Sequence, residues 1–120
     1  MVRKVVKKAG SQKITETQLV KQIIQYLNYS GHFVWRSNTG SVTSSYKDKA
    51  GRTKSRFIRF GFKGVSDIIG ISKNGTMIAI EAKVGYNKPT QFQKDFLESV
   101  KDRGGIAIVA YCLEDVQSII

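Results

Sequence analysis

Apolar residues recur with the spacing of a helix in two segments of the chain. In the first, residues 14–31 read ITETQLVKQIIQYLNYSG, and the recurring apolar positions are Leu19, Val20, Ile23, Ile24 and Leu27. Thr15 and Gln18 have the spacing of a capping box. The pattern predicts a helix over residues 16–29 that ends near Gly31.

The second helical segment has the same type of start. Thr90 and Gln93 fit another capping box. The apolar side of this helix is formed by Phe92, Phe96, Leu97 and Val100. Consecutive glycines at 104 and 105 predict where it ends, and residues 113–120 (LEDVQSII) indicate a short final helix.

Four short runs have the pattern of strands. HFVWR at 32–36 is one, and residues 66–72 and 76–84 form a hairpin around Asn74-Gly75, a strong turn signal. The run IAIVAYC at 106–112 is continuously apolar, as expected of a strand covered on both faces. The elements predict an α/β fold, a central mixed β-sheet flanked by helices in the order αβββαβ.

Residues 37–55, SNTGSVTSSYKDKAGRTKS, have almost no apolar anchors. A polar stretch this long in a small domain is usually functional or mobile, so we predict a long basic loop here. RFIRF at 56–60 is predicted to be a short strand that returns from the loop.

Length and composition restrict the class of protein. A chain of 120 residues with 41% hydrophobic residues predicts one globular domain at 14–120, preceded by a basic arm at 1–13. No apolar window is long enough to span a bilayer, and the arm has no secretory pattern. The single cysteine, Cys112, excludes an internal disulfide. We expect a cytoplasmic protein with no membrane partner.

The net charge of +11 is unevenly distributed. Residues 1–63 contain 14 Lys and Arg against two acids, whereas residues 64–120 contain six against seven. A basic front half on a neutral remainder predicts a face that binds a polyanion such as DNA. A basic surface that serves solubility alone is the alternative.

Three charged residues interrupt the apolar hairpin strands. Side chains alternate along a strand, so Glu81 and Lys83 share one face of MIAIEAK at 77–83. Asp67 joins them only if the hairpin loop has three residues, since a two-residue loop turns it to the other face. We predict the three-residue loop, with Gly75 in the left-handed conformation, or a bulge with the same effect.

Two carboxylates this close repel each other unless a cation lies between them. Mg²⁺ uses one or two protein carboxylates together with water and phosphate oxygens. Bound in this way it activates water for attack on phosphorus, and an adjacent lysine can stabilise the developing charge. The set Asp67, Glu81 and Lys83 therefore indicates phosphodiester hydrolysis. A structural ion pair is the alternative.

Four stretches of the sequence resemble a known family. The helix TETQLVKQIIQYL, then WRSNTG, GVSD and IAIEAK followed by PTQFQKDFLESVKDRGG, are similar to the VRR-NUC (virus-type replication-repair nuclease) domain of the PD-(D/E)xK superfamily. The likeness runs over residues 14–115. One departure is Ser66, where the family often has proline before the aspartate.

The resemblance implies a restriction-endonuclease-like core and a metal-dependent endodeoxyribonuclease, with Mg²⁺ or Mn²⁺ as cofactor. It implies a homodimer that acts on branched DNA such as four-way (Holliday) junctions, in DNA repair. By motif position, Asp67 and Glu81 are metal ligands and Lys83 is the catalytic lysine. Glu16 is the acid of the first helix and a third metal ligand, or a favourable charge at a helix N-terminus. Gln93 lies close to the site, or serves its capping box.

A group of basic residues on and beside the polar stretch forms the candidate nucleic-acid surface. Its members are Arg36, Lys47, Lys49, Arg52, Lys54, Arg56, Arg59 and Lys63. Trp35 is either core or a residue that stacks on bases. Two alternatives to a structure-specific nuclease stay open: a non-catalytic nucleic-acid-binding module on this fold, and a sequence-specific restriction-type nuclease.

Overall fold

The computed structural model describes residues 13–37, 40–60 and 63–120, with the backbone alone at 40–44 and 57–60. In chain order its elements are α1 (Glu16–Tyr29), β1 (Phe33–Arg36), β2 (Gly40–Lys47), β3 (Thr53–Phe60), β4 (Ile68–Ile71), β5 (Met77–Ala82), α2 (Gln91–Asp102), β6 (Ile106–Ala110) and α3 (Leu113–Gln117). Most of the predicted arm, residues 1–12, lies outside the described residues.

The main sheet has four strands in the order β1-β4-β5-β6. The pairs β1–β4 and β4–β5 are antiparallel, and β5–β6 is parallel, with α2 as the crossover between them. The predicted α/β fold with a mixed sheet and flanking helices is confirmed. Among the described helices, none has the length and apolar character needed to cross a membrane.

Helix α1 has the predicted bounds, and its capping box is formed. Thr15 Oγ1 accepts a hydrogen bond of 3.1 Å from the backbone N–H of Gln18, and Gln18 Oε1 accepts one of 2.8 Å from that of Thr15. The apolar stripe of α1 packs with Val116 of α3 on one face of the sheet, against Ile78 and Ile80. These buried aliphatic side chains form the larger part of the core.

Helix α2 covers part of the other face, mainly over β5 and β6. Leu97 and Val100 pack there against Ala79 and Ala107. Phe92, which was predicted on this apolar side, contributes little to the core, since it is 51% exposed. The first turn of α2 packs instead against the chain at Gly64, where an added Cβ would lie 2.4 Å from the carbonyl oxygen of Phe92.

The predicted loop at 37–55 is wrong. Strands β2 and β3 pair over eight residues each, from Gly40↔Phe60 to Lys47↔Thr53, and form a two-stranded sheet of their own. Asp48 closes the turn, because its Oδ1 accepts hydrogen bonds from the backbone N–H groups of Ala50 (3.0 Å) and Arg52 (2.9 Å). Threonine, tyrosine and valine favour extended backbone even where few residues are apolar. We call residues 40–60 the basic hairpin.

Candidate active site

The turn between β4 and β5 decides which side chains meet. The backbone N–H of Ser72 donates to the carbonyl of Thr76 at 2.7 Å, and that of Gly75 donates to the carbonyl of Ser72 at 2.8 Å. Gly75 has φ of 86°, a conformation that glycine adopts without a Cβ clash. The predicted three-residue loop is confirmed, and the register that it sets pairs Ile69 with Ala79.

The same register brings Asp67 opposite Glu81. The two residues are joined crosswise: the N–H of Asp67 donates to Glu81 Oε2 at 3.2 Å, and the N–H of Ala82 donates to Asp67 Oδ2 at 3.0 Å. Both carboxylates therefore share one sheet face, as the sequence predicted, and helix α2 packs on that face. Fixed backbone donors hold them in position, which limits how far they can move apart.

Glu81 is almost completely buried, with 1% of its surface exposed. Its Oε1 accepts a 2.9 Å hydrogen bond from Gln93 Nε2 and lies 3.3 Å from Lys83 Nζ. Burial and then the charge of Asp67 raise the pKa of Glu81 from 4.5 to about 7, while the ion pair with Lys83 acts in the opposite direction. Near neutral pH, the site is thus a carboxylate pair that a cation would stabilise.

Gln93 serves both of the functions that the sequence left open. Its Oε1 accepts from the backbone N–H of Thr90 at 2.8 Å, which completes the capping box of α2. Its Nε2 donates to Glu81. One carboxamide therefore connects the start of α2 to the acid pair.

Ser66, the departure from the family pattern, is fully buried. Its hydroxyl donates to the carbonyl of Ile68 at 3.0 Å. This bond stabilises the backbone just before β4, so Ser66 positions Asp67 without the stiffness of proline. Neither this role nor that of the Ala82 N–H follows from sequence spacing, because both are backbone contacts.

Two adjacent carboxylates are ligands of the kind that Mg²⁺ prefers, and this ion needs few ligands from the protein. In the part of the chain that the structure describes, no group of three or more His, Cys, Asp and Glu residues could hold a metal ion. Glu16 lies half-buried at the first residue of α1 and is not grouped with Asp67 and Glu81. Its assignment as a metal ligand stays a prediction.

The candidate nucleic-acid residues lie in several places. Lys54 and Arg56 share one face of the basic hairpin, and Arg56 lies 5.3 Å from the centre of the Tyr46 ring. Asp48 pairs with both Arg52 (3.3 Å) and Lys54 (3.8 Å), which reduces the positive charge near the tip. The side chain of Arg59 lies outside the described residues.

Other members of the set lie nearer to the main sheet. Arg36 is opposite Ile68, so it points to the face covered by α1 and not to the face of the carboxylates. Lys63 Nζ lies 4.4 Å from the centre of the Phe92 ring, at the start of α2. Lys47 and Lys49 are exposed on the hairpin. Binding of nucleic acid by any of these residues stays a prediction.

Three further residues have defined surroundings. Trp35 is 44% exposed, so the core alternative is wrong for it. His32 Nδ1 accepts from the backbone N–H of Lys73 at 3.1 Å, in the role of a strand-end residue. Cys112 is half-buried before α3, and burial raises the pKa of its thiol. It is therefore a poor nucleophile at neutral pH.

The chain matches no protein-family model and no curated protein. The resemblance to VRR-NUC nucleases is thus carried by the residues of the chain itself.

Proposed function

We propose that this chain is a Mg²⁺-dependent DNA endonuclease with a restriction-endonuclease-like core of the VRR-NUC type. The observation that carries the proposal is the acid pair on neighbouring strands, with Lys83 and Gln93 in contact with Glu81. A binding module has no use for a buried acid whose ionisation is costly. An enzyme that binds a divalent cation and a phosphate has such a use.

Each side chain has a defined part in this proposal. Asp67 and Glu81 hold the cation, and the backbone donors of Asp67 and Ala82 keep the carboxylates in position. Lys83, whose side chain is 13% exposed, faces the reacting phosphate and stabilises the charge that develops on it. When bound, Mg²⁺ polarises the phosphate and lowers the pKa of the attacking water.

The preferred substrate in this proposal is branched DNA, cut by a homodimer. Both points come from the resemblance, and the basic hairpin supports binding of a polyanion. Two sites related by a two-fold axis suit paired cuts in a symmetric junction. Sedimentation velocity of the full chain tests the dimer directly.

The first experiment compares cleavage of a labelled four-way junction and a matched duplex in Mg²⁺, Mn²⁺ and EDTA. The key variant is Asp67→Asn, which retains an oxygen for the Ala82 N–H but removes the charge. We expect metal-dependent cutting that falls by roughly 10³-fold in the variant, because the metal contributes several kcal/mol to the transition state.

Asp102→Asn is the matched control, since it removes the same charge from an exposed position at the end of α2. It should cut like the wild type. DNA binding without cutting in any metal would contradict the proposal and favour the non-catalytic binding module. Equal cutting of junction and duplex, limited to one sequence, would favour the restriction-type nuclease.

A further inference from the structure

Within the described part of the chain, the sheet face that carries Asp67 and Glu81 is covered by α2 over only part of its width. The cluster under α2 extends to Ile69 of β4, whereas large apolar side chains of β1, of the end of β4 and of the start of β5 are exposed. They are Phe33 (66% exposed), Ile71 (47%), Trp35 (44%) and Met77 (40%). We call these four residues the open strip.

The strip is continuous across three neighbouring strands. Phe33 is paired with Ile71, and Ile71 with Met77, so the three side chains lie side by side on one face. The rings of Phe33 and Trp35 are 5.2 Å apart at an angle of 50°. Scattered apolar residues are common on surfaces, but a contiguous row of this kind usually marks a binding site.

The open strip also lies beside the acid pair, Asp67 and Glu81. Trp35 is paired with Ile69, and Asp67 is two residues before Ile69 on the same face. Strand spacing and rise place the Cα atoms of Trp35 and Asp67 about 8 Å apart. The N–H of Ser37 donates to the carbonyl of Asp67 at 2.7 Å, which fixes β1 beside the site. A nucleotide next to a phosphate at the acid pair would reach Trp35.

A second copy of the chain is one candidate for the partner that covers the open strip, but two observations oppose it. The outward backbone groups of Val34 are both occupied by Asn28, whose Nδ2 donates to the Val34 carbonyl and whose Oδ1 accepts from its N–H, each at 3.1 Å. Strand addition at this edge is thereby blocked. The four side chains expose a few hundred Å², against the roughly 800 Å² per partner of a stable interface.

Unpaired nucleobases fit better, because aromatic side chains stack on bases of any sequence and the chain carries a net charge of +11. We propose that the open strip is a platform for unpaired nucleobases beside the acid pair. The preferred nucleic acid then exposes bases next to the phosphate that is cut, as a single strand or an unpaired branch does. The position of that phosphate rests on the proposed function, whereas the stacking does not.

Trp35 is the only tryptophan of the chain, so its fluorescence reports the strip directly. The full chain is titrated in EDTA with a short oligothymidylate and with an abasic oligomer of the same length. We expect the oligothymidylate to quench Trp35 and bind roughly tenfold more tightly than the abasic strand. Equal quenching and equal affinity for the two strands would overturn the proposal.

Trp35→Leu retains an apolar side chain but removes the aromatic face, and it should weaken oligothymidylate binding by roughly tenfold, measured by anisotropy of a labelled strand. Trp35→Phe should restore part of that loss. Tyr29→Leu is the matched control, because Tyr29 is a 94% exposed aromatic residue on α1, and it should bind as the wild type does.

Two outcomes separate this inference from the proposed function. Stacking in EDTA together with no cutting in Mg²⁺ would reject the nuclease and leave the platform standing. Cutting with wild-type affinity in Trp35→Leu would reject the platform and leave the nuclease standing. A dimer of the wild type that Trp35→Leu dissociates, with unchanged oligothymidylate affinity, would assign the strip to a second copy instead.

Discussion

Gln93 connects local helix capping with the candidate site through the two ends of one amide. Its oxygen accepts from Thr90, as any capping-box glutamine or glutamate can, while its nitrogen donates to Glu81. Glutamate could replace only the first of these functions. Only an amide at this position can both complete the cap and donate a hydrogen bond to the neighbouring carboxylate.

This difference predicts the effect of Gln93→Glu. The variant retains the cap, loses the hydrogen bond to Glu81 and adds a third negative charge. On the proposed function, in which Glu81 holds the cation, cleavage should fall by about 10- to 100-fold, the usual effect of removing a partner of a metal ligand. Steady-state cleavage kinetics measure the loss, and circular dichroism checks that the helix persists.

Gln18→Glu is the matched control for that variant. Gln18 occupies the same capping-box position in α1, where it is exposed and no carboxylate partner is present among the described residues. It should leave activity and stability unchanged. A similar loss in both variants would mean that Gln93 acts through its helix alone.

Glu81 makes the stability of the metal-free chain depend on pH. Its pKa is raised from 4.5 to about 7 by burial and by Asp67. Between these values the folded chain binds more protons than the unfolded chain, so the free energy of unfolding falls as pH rises through this range. Glu81→Gln should remove this fall, which amounts to about 3 kcal/mol across the range.

Urea unfolding in EDTA at several pH values from 4.5 to 8 measures this effect. Glu98→Gln provides the control, because Glu98 is exposed on α2 and its variant should retain the wild-type pH profile. Parallel profiles for wild type and Glu81→Gln would show that the burial of this acid costs nothing.

At the scale of elements, the loop at 73–75 determines whether a site exists. A loop shorter by one residue would turn Asp67 away from Glu81, because side chains alternate with a period of two. The sequence signal for the loop is local: Asn74-Gly75 favours a tight turn, and Gly75 supplies the positive φ. The placement of two carboxylates thus depends on backbone geometry several residues away.

Two glycines of the β4–β5 hairpin should respond differently to alanine. At Gly70, in β4, an added Cβ would lie 2.3 Å from the carbonyl oxygen of Phe33, and β1 would have to move. At Gly75, the space is open and only the φ of 86° opposes a side chain. We expect Gly70→Ala to cost about 3 kcal/mol and Gly75→Ala about 1 kcal/mol.

Thermal or urea unfolding of the two variants tests this order. Gly70→Ala should also displace β1 and so change the emission of Trp35, which lies in that strand. Equal losses of stability with an unchanged tryptophan spectrum would mean that β1 does not approach β4 as closely as described.

At the scale of the whole molecule, the net positive charge lies in residues 1–63, which include the basic hairpin. Its exposed cations should contact phosphates, and each phosphate contact should add about 0.9 to the slope of log affinity against log salt on duplex DNA. Replacing Lys47, Lys49 and Arg56 by alanine should therefore lower the slope by up to about 2.7 and weaken duplex binding at low salt.

The control removes three exposed cations elsewhere, Lys21, Lys73 and Lys101, so that the net charge changes equally. Anisotropy titrations at several salt concentrations compare the two variants. If both lose the same slope, long-range attraction accounts for binding and the hairpin has no special part in it.

The sequence alone determined much of this molecule, because its signals are local. The capping boxes at Thr15 and Thr90 showed where two helices begin, and Asn74-Gly75 located the hairpin turn, whereas the choice of a three-residue loop rested on bringing Asp67 to Glu81. Of the basic hairpin, the strand at 56–60 was predicted, whereas β2 and the start of β3 were missed, since they carry few apolar residues and periodicity detects strands through their buried face.

The tertiary structure decided what depends on packing between distant segments. It placed Gln93 against Glu81, buried Ser66 behind Asp67 and left Trp35 exposed instead of in the core. Burial and contacts of this kind depend on how separate elements pack, and spacing along the sequence does not encode which face of the sheet a helix covers. The sequence supplied the chemical groups, and the fold determined their distances and exposure.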